Sequence, residues 1–360
     1  MDFGLSEDQN LIAETARGFL ADKVGIERVR ELREAGTWND RGIWQELAGL
    51  GLTGILVPEA AGGSALSLLD AALVAQAMGF AATPQPYLGS AIMVPMALRE
   101  VGGEQADAWL GELARGEIFF GLAITELWAK REGAGVRLED GRLHGKAMMA
   151  WDAIGGDHIL VALDASRMAV VAGSAAGLRK ERLRTIDVTR CTSELVFEGV
   201  EPEVVYPDAG RAVEQMLRAG RIALAADSLG ACEAMVEQAV AYSLERKQFN
   251  RVIGSFQAVK HMCAEMIAEL EPARSLVWYA AHSFEAIPEE APLLACHALA
   301  HLCEIGHEIA SVSTQVHGGT GWTDEQNLHF WFKRLGVARH QLGGPEYLRR
   351  QAAELQGLAA

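Results

Sequence analysis

The hydrophobic period changes twice along this chain, and those changes limit the class of fold open to it. From residue 1 to about 117 apolar residues recur at helical spacing, with turn signals between the runs. Ser6 ahead of Glu7 and Asp8 is an N-cap followed by first-turn acids. Leu56-Val-Pro-Glu-Ala-Ala-Gly-Gly63 is a loop between helices, and Leu66 to Met78 resumes an apolar stripe. From about 118 to 205 short alternating runs take over. Ile118–Ile124, Gly135–Leu138, Arg142–His144, His158–Leu163, Met168–Val171 and Glu194–Phe197 are predicted strands, with Asp140-Gly141 as a tight hairpin turn. From about 206 onward the helical period returns. Ile222, Ala225, Leu229, Cys232, Val236 and Ala239 place one apolar stripe on a long helix. Further helices are predicted from Phe256 to Phe284, from Pro292 to Val316 with Gly318-Gly319 as its end, and from Asp324 to Leu355 with a break at Gly343-Gly344-Pro345. The expected fold is mostly α with a central β domain. A helical domain spans 1–117, a β domain 118–205 and a four-helix bundle 206–360.

At 360 residues, half of them hydrophobic, the chain is long enough for roughly two or three cores. No apolar run reaches the roughly 18 residues of a membrane span. The stretch Met1-Asp-Phe-Gly-Leu-Ser-Glu-Asp8 is acidic and lacks the apolar centre of a signal peptide. A net charge of −16 argues against nucleic acid as a partner, and any anionic ligand must find local cations. The five cysteines form no C-x-x-C pair and read as small core residues of a reducing compartment. A soluble cytoplasmic protein is expected, without internal repeats or low-complexity linkers.

Two segments carry the chemistry. In Ser243-Leu-Glu-Arg-Lys-Gln-Phe-Asn-Arg-Val-Ile-Gly-Ser-Phe-Gln257 a helix runs into a basic, polar and aromatic turn, and a second helix starts at once. Arg246, Gln248, Phe249 and Gln257 offer a fixed cation, two carboxamides and an aromatic face. In Gln315-Val-His-Gly-Gly-Thr-Gly321, Gln315 is followed by Gly318 and Gly319, whose backbone a ligand can approach closely. A diphosphate joined to a flat ring system needs such donors.

Together these segments resemble the flavin-contacting signature of acyl-CoA dehydrogenases, R-x-x-F-G-x-x-I-x-x-F-Q followed by Q-x-x-G-G. Pro58-Glu59 with Gly62-Gly63 is similar to that family's P-E-x-x-G-G, and the order helical, β, helical matches it over the whole chain. The resemblance implies FAD as cofactor, an acyl-CoA thioester as substrate and an electron-transfer protein as acceptor. It assigns Arg246, Gln248, Phe249, Gln257, Gln315, Gly318 and Gly319 to the flavin of a neighbouring subunit, and Arg221 to the edge of the acyl-CoA pocket. Arg221 could instead bond a carboxylate across the bundle. Asn250 stands where the family has glycine, and asparagine tolerates a left-handed backbone.

The chain departs from the family at two places. The loop that holds a subunit's own flavin, T-E-P-x-x-G-S-D, here reads Thr125-Glu-Leu-Trp-Ala-Lys-Arg-Glu132, and the following strand, Gly145-Lys-Ala-Met-Met-Ala-Trp151, lacks the family's threonine. Dehydrogenation between the α and β carbons also needs a carboxylate at the α-carbon. The two positions at which the family carries it are Gly220 and Leu342, so no catalytic base is assigned. Asp227 and Glu346 are nearby carboxylates with a different spacing.

This pattern resembles the base-lacking subunit of heterotetrameric acyl-CoA dehydrogenases acting on bulky thioesters such as steroid side-chain CoA esters, whose paralogous partner brings the glutamate. The alternatives are an active homotetramer with a relocated carboxylate and a flavin-free assembly scaffold. Two other constellations fall away. Glu304-x-x-His307, with His297, His301 and Glu308, would need a second such motif to hold two irons, so no metal is assigned. His317-Gly318-Gly319 resembles an esterase oxyanion motif, but Ala226-Asp-Ser-Leu-Gly230 is not a nucleophile elbow.

Overall fold

The computed structural model describes residues 4–358; Met1, Asp2 and Phe3 of the acidic N-terminal stretch lie outside them. The helices are α1 (Glu7–Lys23), α2 (Ile26–Glu34), α3 (Arg41–Gly49), α4 (Leu68–Phe80), α5 (Val94–Val101), α6 (Glu104–Ala114), α7 (Gly210–Glu245), α8 (Gln257–Ala286), α9 (Ala291–His317), α10 (Leu328–Ala338) and α11 (Gly344–Leu355). Between α6 and α7 run β1 (Phe120–Ala123), β2 (Gly135–Glu139), β3 (Arg142–Trp151), β4 (His158–Ala162), β5 (Met168–Ala172), β6 (Leu178–Arg182), β7 (Thr192–Val200) and β8 (Val204–Tyr206). The chain forms two compact units: Met1–Glu31 with Ala72–Thr83 and Arg221–Ala360, and Leu32–Ala71 with Pro84–Gly220. The chain is mostly helical with a central β-sheet domain, as the periodicity predicts.

In the second unit the eight-stranded sheet runs β6-β7-β3-β1-β4-β5-β8, with β2 paired to β3. β1 and β4 are parallel, and the other pairs are antiparallel. Asp140 and Gly141 both take positive φ, which is the type I′ geometry of the two-residue turn expected there. Strands β6 and β8 were not expected. β6 reads Leu-Arg-Lys-Glu-Arg and lies at one end of the path, where charge protects an unpaired edge and hides the period. β3 also runs beyond the predicted His144 to Trp151. A bulge between Ala147 and Ala150, with Met149 at φ 55°, breaks the alternation there. Leu143, Ala147, Leu195 and Phe197 of β3 and β7 pack with Ile159, Val161, Ala169 and Val171 as the core of the sheet.

In the first unit α1 opens on a complete capping box: Gln9 N donates to Ser6 Oγ and its side-chain oxygen accepts from Ser6 N. Every residue of the stripe predicted on α7 is buried, and so are Leu224, Ala226, Ala231 and Met235, because neighbours enclose this helix on more than one face. Two glycines bring α4 and α7 together. A Cβ on Gly79 would lie 1.8 Å from the Asp227 carbonyl oxygen, and one on Gly230 would lie 1.8 Å from that of Gln76. Trp331 of α10 donates its indole N–H to the Phe80 carbonyl at 2.9 Å, closing the end of α4. Buried Glu233 accepts from Arg17, Gln76 and Arg274, joining α1, α4, α7 and α8. The predicted C-terminal break differs in kind. α10 already ends at Ala338, and Pro345 sits in the first turn of α11, where its missing N–H costs no hydrogen bond.

Candidate functional site

Helix α7 ends at Glu245, and Arg246 N–H still donates to the Tyr242 carbonyl at 2.9 Å. Lys247–Gln248 (β9) then pairs with Arg251–Val252 (β10). Phe249 and Asn250 connect them at φ 52° and 63°, the turn geometry that asparagine adopts readily and phenylalanine only under constraint. The Ile253 N–H donates back to the Arg246 carbonyl at 2.8 Å and closes the hairpin. The Phe249 ring is 87% exposed and meets Phe256 edge-on at 6.1 Å, while the Arg251 guanidinium lies 3.9 Å over the Phe256 ring. Gln257 starts α8 with an exposed side chain. Arg246, Lys247 and Gln248 are exposed, and none makes a side-chain ion pair or hydrogen bond among the described residues.

The second segment closes α9. Gln315 is exposed on its last turn, and the C-cap Gly318 takes φ 64° and ψ −143°, a positive-φ backbone that favours glycine. Nothing lies within 4 Å of a Cβ built on Gly318 or on Gly319, so the backbone there is open to approach.

What joins the two segments is a set of residues that the sequence reading did not single out. His317 is buried, its Nδ1 is 2.8 Å from the Ser313 carbonyl, and its ring stacks on Tyr242 at 4.6 Å and 25°. Thr320 gives its hydroxyl proton to the His317 carbonyl at 2.8 Å, which leaves the Tyr242 hydroxyl as donor to Thr320 at 3.2 Å. Burial pulls the His317 pKa below its ordinary value, against the opposing bond to Ser313. Tyr242 lies one turn before Arg246, so the stack holds the end of α7 against the end of α9. An i, i+4 spacing from Tyr242 to Arg246 was the only trace of this in the sequence.

The two positions that could carry a base hold none. A Cβ on Gly220 would strike Met93, and Leu342 is fully buried at φ 53°. Arg221 donates its Nε–H to the Leu342 carbonyl at 3.3 Å and approaches the Cys296 sulfur at 3.6 Å, so its partners here are a carbonyl and a thiol, not the carboxylate considered above. Asp227 is fully engaged: Arg334 grips both of its oxygens, at 2.9 and 2.6 Å, with both side chains buried. Glu346 is exposed in the first turn of α11.

In the sheet, Thr125 Oγ donates to the Met149 carbonyl at 3.1 Å, and the Glu126 carboxylate accepts the Met148 N–H at 2.8 Å. This Thr-Glu pair thus pins the bulge of β3 from both sides and takes up the backbone donor there. Burial raises the Glu126 pKa, opposed by its bond from Met148. Lys130, Arg131 and Glu132, in place of Gly-Ser-Asp, are exposed. On α9, Glu304 is ion-paired with Arg349, and His297 and His307 face solvent. Among the described residues no group of three or more metal-type side chains converges.

The order of elements, helices, then sheet, then helices, matches that of acyl-CoA dehydrogenases. The profile of the acyl-CoA dehydrogenase N-terminal domain matches residues 6–117, and that of the C-terminal domain matches residues 209–356. The chain is 30% identical to the acyl-CoA dehydrogenase IpdE2 of Mycobacterium tuberculosis, over 97% of this chain and 98% of that one. It therefore belongs to the acyl-CoA dehydrogenase family, oxidoreductases acting on CH–CH bonds, whose members bind FAD. Among solved structures, the Tcur3481-Tcur3483 steroid ACAD superposes with a TM-score of 0.87 at 26% identity over 98% of each chain. The ChsE4-ChsE5 complex of M. tuberculosis superposes with a TM-score of 0.90 at 23% identity over the full length of both chains, a likeness of fold.

Proposed function

We propose that this chain is the non-catalytic subunit of a heterotetrameric acyl-CoA dehydrogenase, completing the FAD site of a glutamate-bearing paralogue. One asymmetry carries the proposal. The half-site lent to a neighbour is open, while the chain's own sheet has committed its donors to itself. Arg246, Gln248, Phe249 and Gln257, with Gln315, Gly318 and Gly319, suit a diphosphate and a flat ring: an exposed cation, two carboxamides, an aromatic face and uncovered backbone. The chain's own half does not fit the group, because Glu126 holds the Met148 N–H and exposed charged residues replace Gly-Ser-Asp.

FAD, when bound, supplies the acceptor for the β-hydrogen. This chain's part is to anchor the diphosphate by Arg246 and to keep the hairpin and the glycine turn together through Tyr242, His317 and Thr320. No side chain of its own takes the α-proton, since Gly220 and Leu342 cannot, Asp227 is paired with Arg334 and Glu346 faces solvent. The same observations weigh against a homotetramer with a relocated base. The substrate class proposed is a bulky, steroid-type CoA thioester, supported by the 26% identity to the Tcur3481-Tcur3483 steroid ACAD. An electron-transfer protein is proposed as acceptor. Absorbance in the flavin region tests the proposal. The chain purified alone is expected to be colourless, and yellow after co-expression with its paralogue. Yellow colour with turnover by the chain alone overturns it, and absence of colour in every combination identifies a scaffold.

A further inference from the structure

We infer that Met93 plugs this chain's own acyl site, so that the chain is closed to a thioester at α7 as well as lacking a base there. The inference rests on the reading above that position 220 is one the family turns toward substrate. A Cβ built on Gly220 meets Met93 Cε and Sδ at 2.8 Å and Cγ at 3.1 Å. Those distances are well inside the roughly 3.5–4.0 Å at which carbon atoms pack. The thioether therefore lies flat against the helix face that glycine leaves bare.

Met93 is not free to swing aside. It is fully buried, as are its chain neighbours Ile92 and Val94 and the Ala219 that precedes Gly220, so its side chain has packed surroundings to displace before it can move. It is the last residue of a π-helical turn, Tyr87–Met93, in which all seven residues are buried. Single turns of this width are rare and, where they occur, are frequent at functional sites. Ser90 locks the turn to β1, accepting the Phe120 N–H at 2.9 Å and lying 3.2 Å from the Phe120 carbonyl as donor. Gly89 packs the same turn against Leu122, whose Cδ1 would be 3.3 Å from an added Cβ. A turn fixed on its sheet side thus holds an apolar arm over Gly220. Glycine and methionine form one arrangement: a larger residue at 220 would displace the arm, and a shorter one at 93 would open a space.

An octanoyl-CoA analogue with a diazirine in its acyl chain reads this directly. The full-length chain, with its partner where one co-purifies, is irradiated with the probe, and labelled peptides are assigned by mass spectrometry. In the wild type no label is expected on the peptides carrying Met93 and Gly220. Met93→Ala should raise label there at least about tenfold, the step that roughly 1.4 kcal/mol of binding provides, and Met93→Leu should leave it at background. Should Met93→Ala fail to fold, Met93→Val, which removes the sulfur and terminal methyl but keeps apolar bulk, takes its place. Label on the wild-type peptides, or a folded Met93→Ala or Met93→Val chain that stays unlabelled, overturns the inference. Flavin content is independent of this readout, so a wild type labelled at Met93 with half-occupied flavin sites sinks the plug alone, whereas full flavin occupancy sinks the subunit assignment.

Discussion

In the proposed half-site Arg246 and His317 would act in different ways, one through charge and one through position. Arg246 stands exposed beyond the last turn of α7 with no internal ion pair, so its removal costs the fold little. A charge-assisted contact to a diphosphate contributes about 1.5–3 kcal/mol. Arg246→Ala should therefore weaken flavin retention in the assembled enzyme by roughly 10–100-fold while the melting temperature of the chain itself stays unchanged, measured as FAD released on dilution. His317 is buried against Tyr242, and burial lowers its pKa from 6.5. Above 6.5 folded and unfolded chains are both neutral at this ring, and its contribution is complete. As pH falls below that value the unfolded chain takes up the proton first, so stability drains away until the lowered folded pKa is passed. His317→Phe keeps an aromatic ring beside Tyr242 and removes the titration. The difference in melting temperature between wild type and His317→Phe should shrink as pH is lowered from 8 to 5, and a constant difference would exclude this role.

At the scale of elements, the meeting of α4 with α7 depends on bare backbone. Gly230 has the Gln76 carbonyl where its Cβ would be, and backbone cannot rotate out of the way as a side chain can. Gly230→Ala should cost at least the roughly 1–3 kcal/mol of ordinary overpacking. Gly306→Ala is the matched control, because its Cβ would meet side chains and no backbone, the Leu335 Cδ2 methyl at 3.2 Å and the Cys232 Sγ at 3.6 Å, and the leucine can shift. Thermal melts in which both variants lose the same stability would remove the close helix contact as an explanation. The hairpin between α7 and α8 follows a similar logic: its type I′ turn places Phe249 in a left-handed conformation and leaves the ring in solvent, an arrangement that a ring-binding partner makes sense of.

For the whole molecule the expected assembly contains two copies of this chain, two of a glutamate-bearing paralogue and two flavins. In the proposed assembly each copy of this chain would lend its hairpin and glycine turn to a neighbour, while Glu126 keeps its own β3 donor occupied. FAD quantified against protein in the purified complex checks the count, and four flavins in four chains would show that the Thr125–Glu132 loop still holds one.

The sequence by itself determined whatever is written in neighbouring residues. The two changes of period placed the helices and most strands, Asp140-Gly141 and Phe249-Asn250 carried the chemistry of their turns, and glycine and leucine at 220 and 342 ruled out a carboxylate at those positions. Edge strand β6 escaped because charge at a sheet edge masks alternation. The tertiary structure alone decided which distant groups consume one another. Asp227 is paired with Arg334, Glu126 takes the Met148 N–H, Tyr242 stacks on His317 and Met93 covers Gly220. A hydrophobic period says which face of an element turns inward, but not which residue of another element meets it there. Whether a carboxylate, a donor or an open helix face remains available for chemistry depends on that meeting.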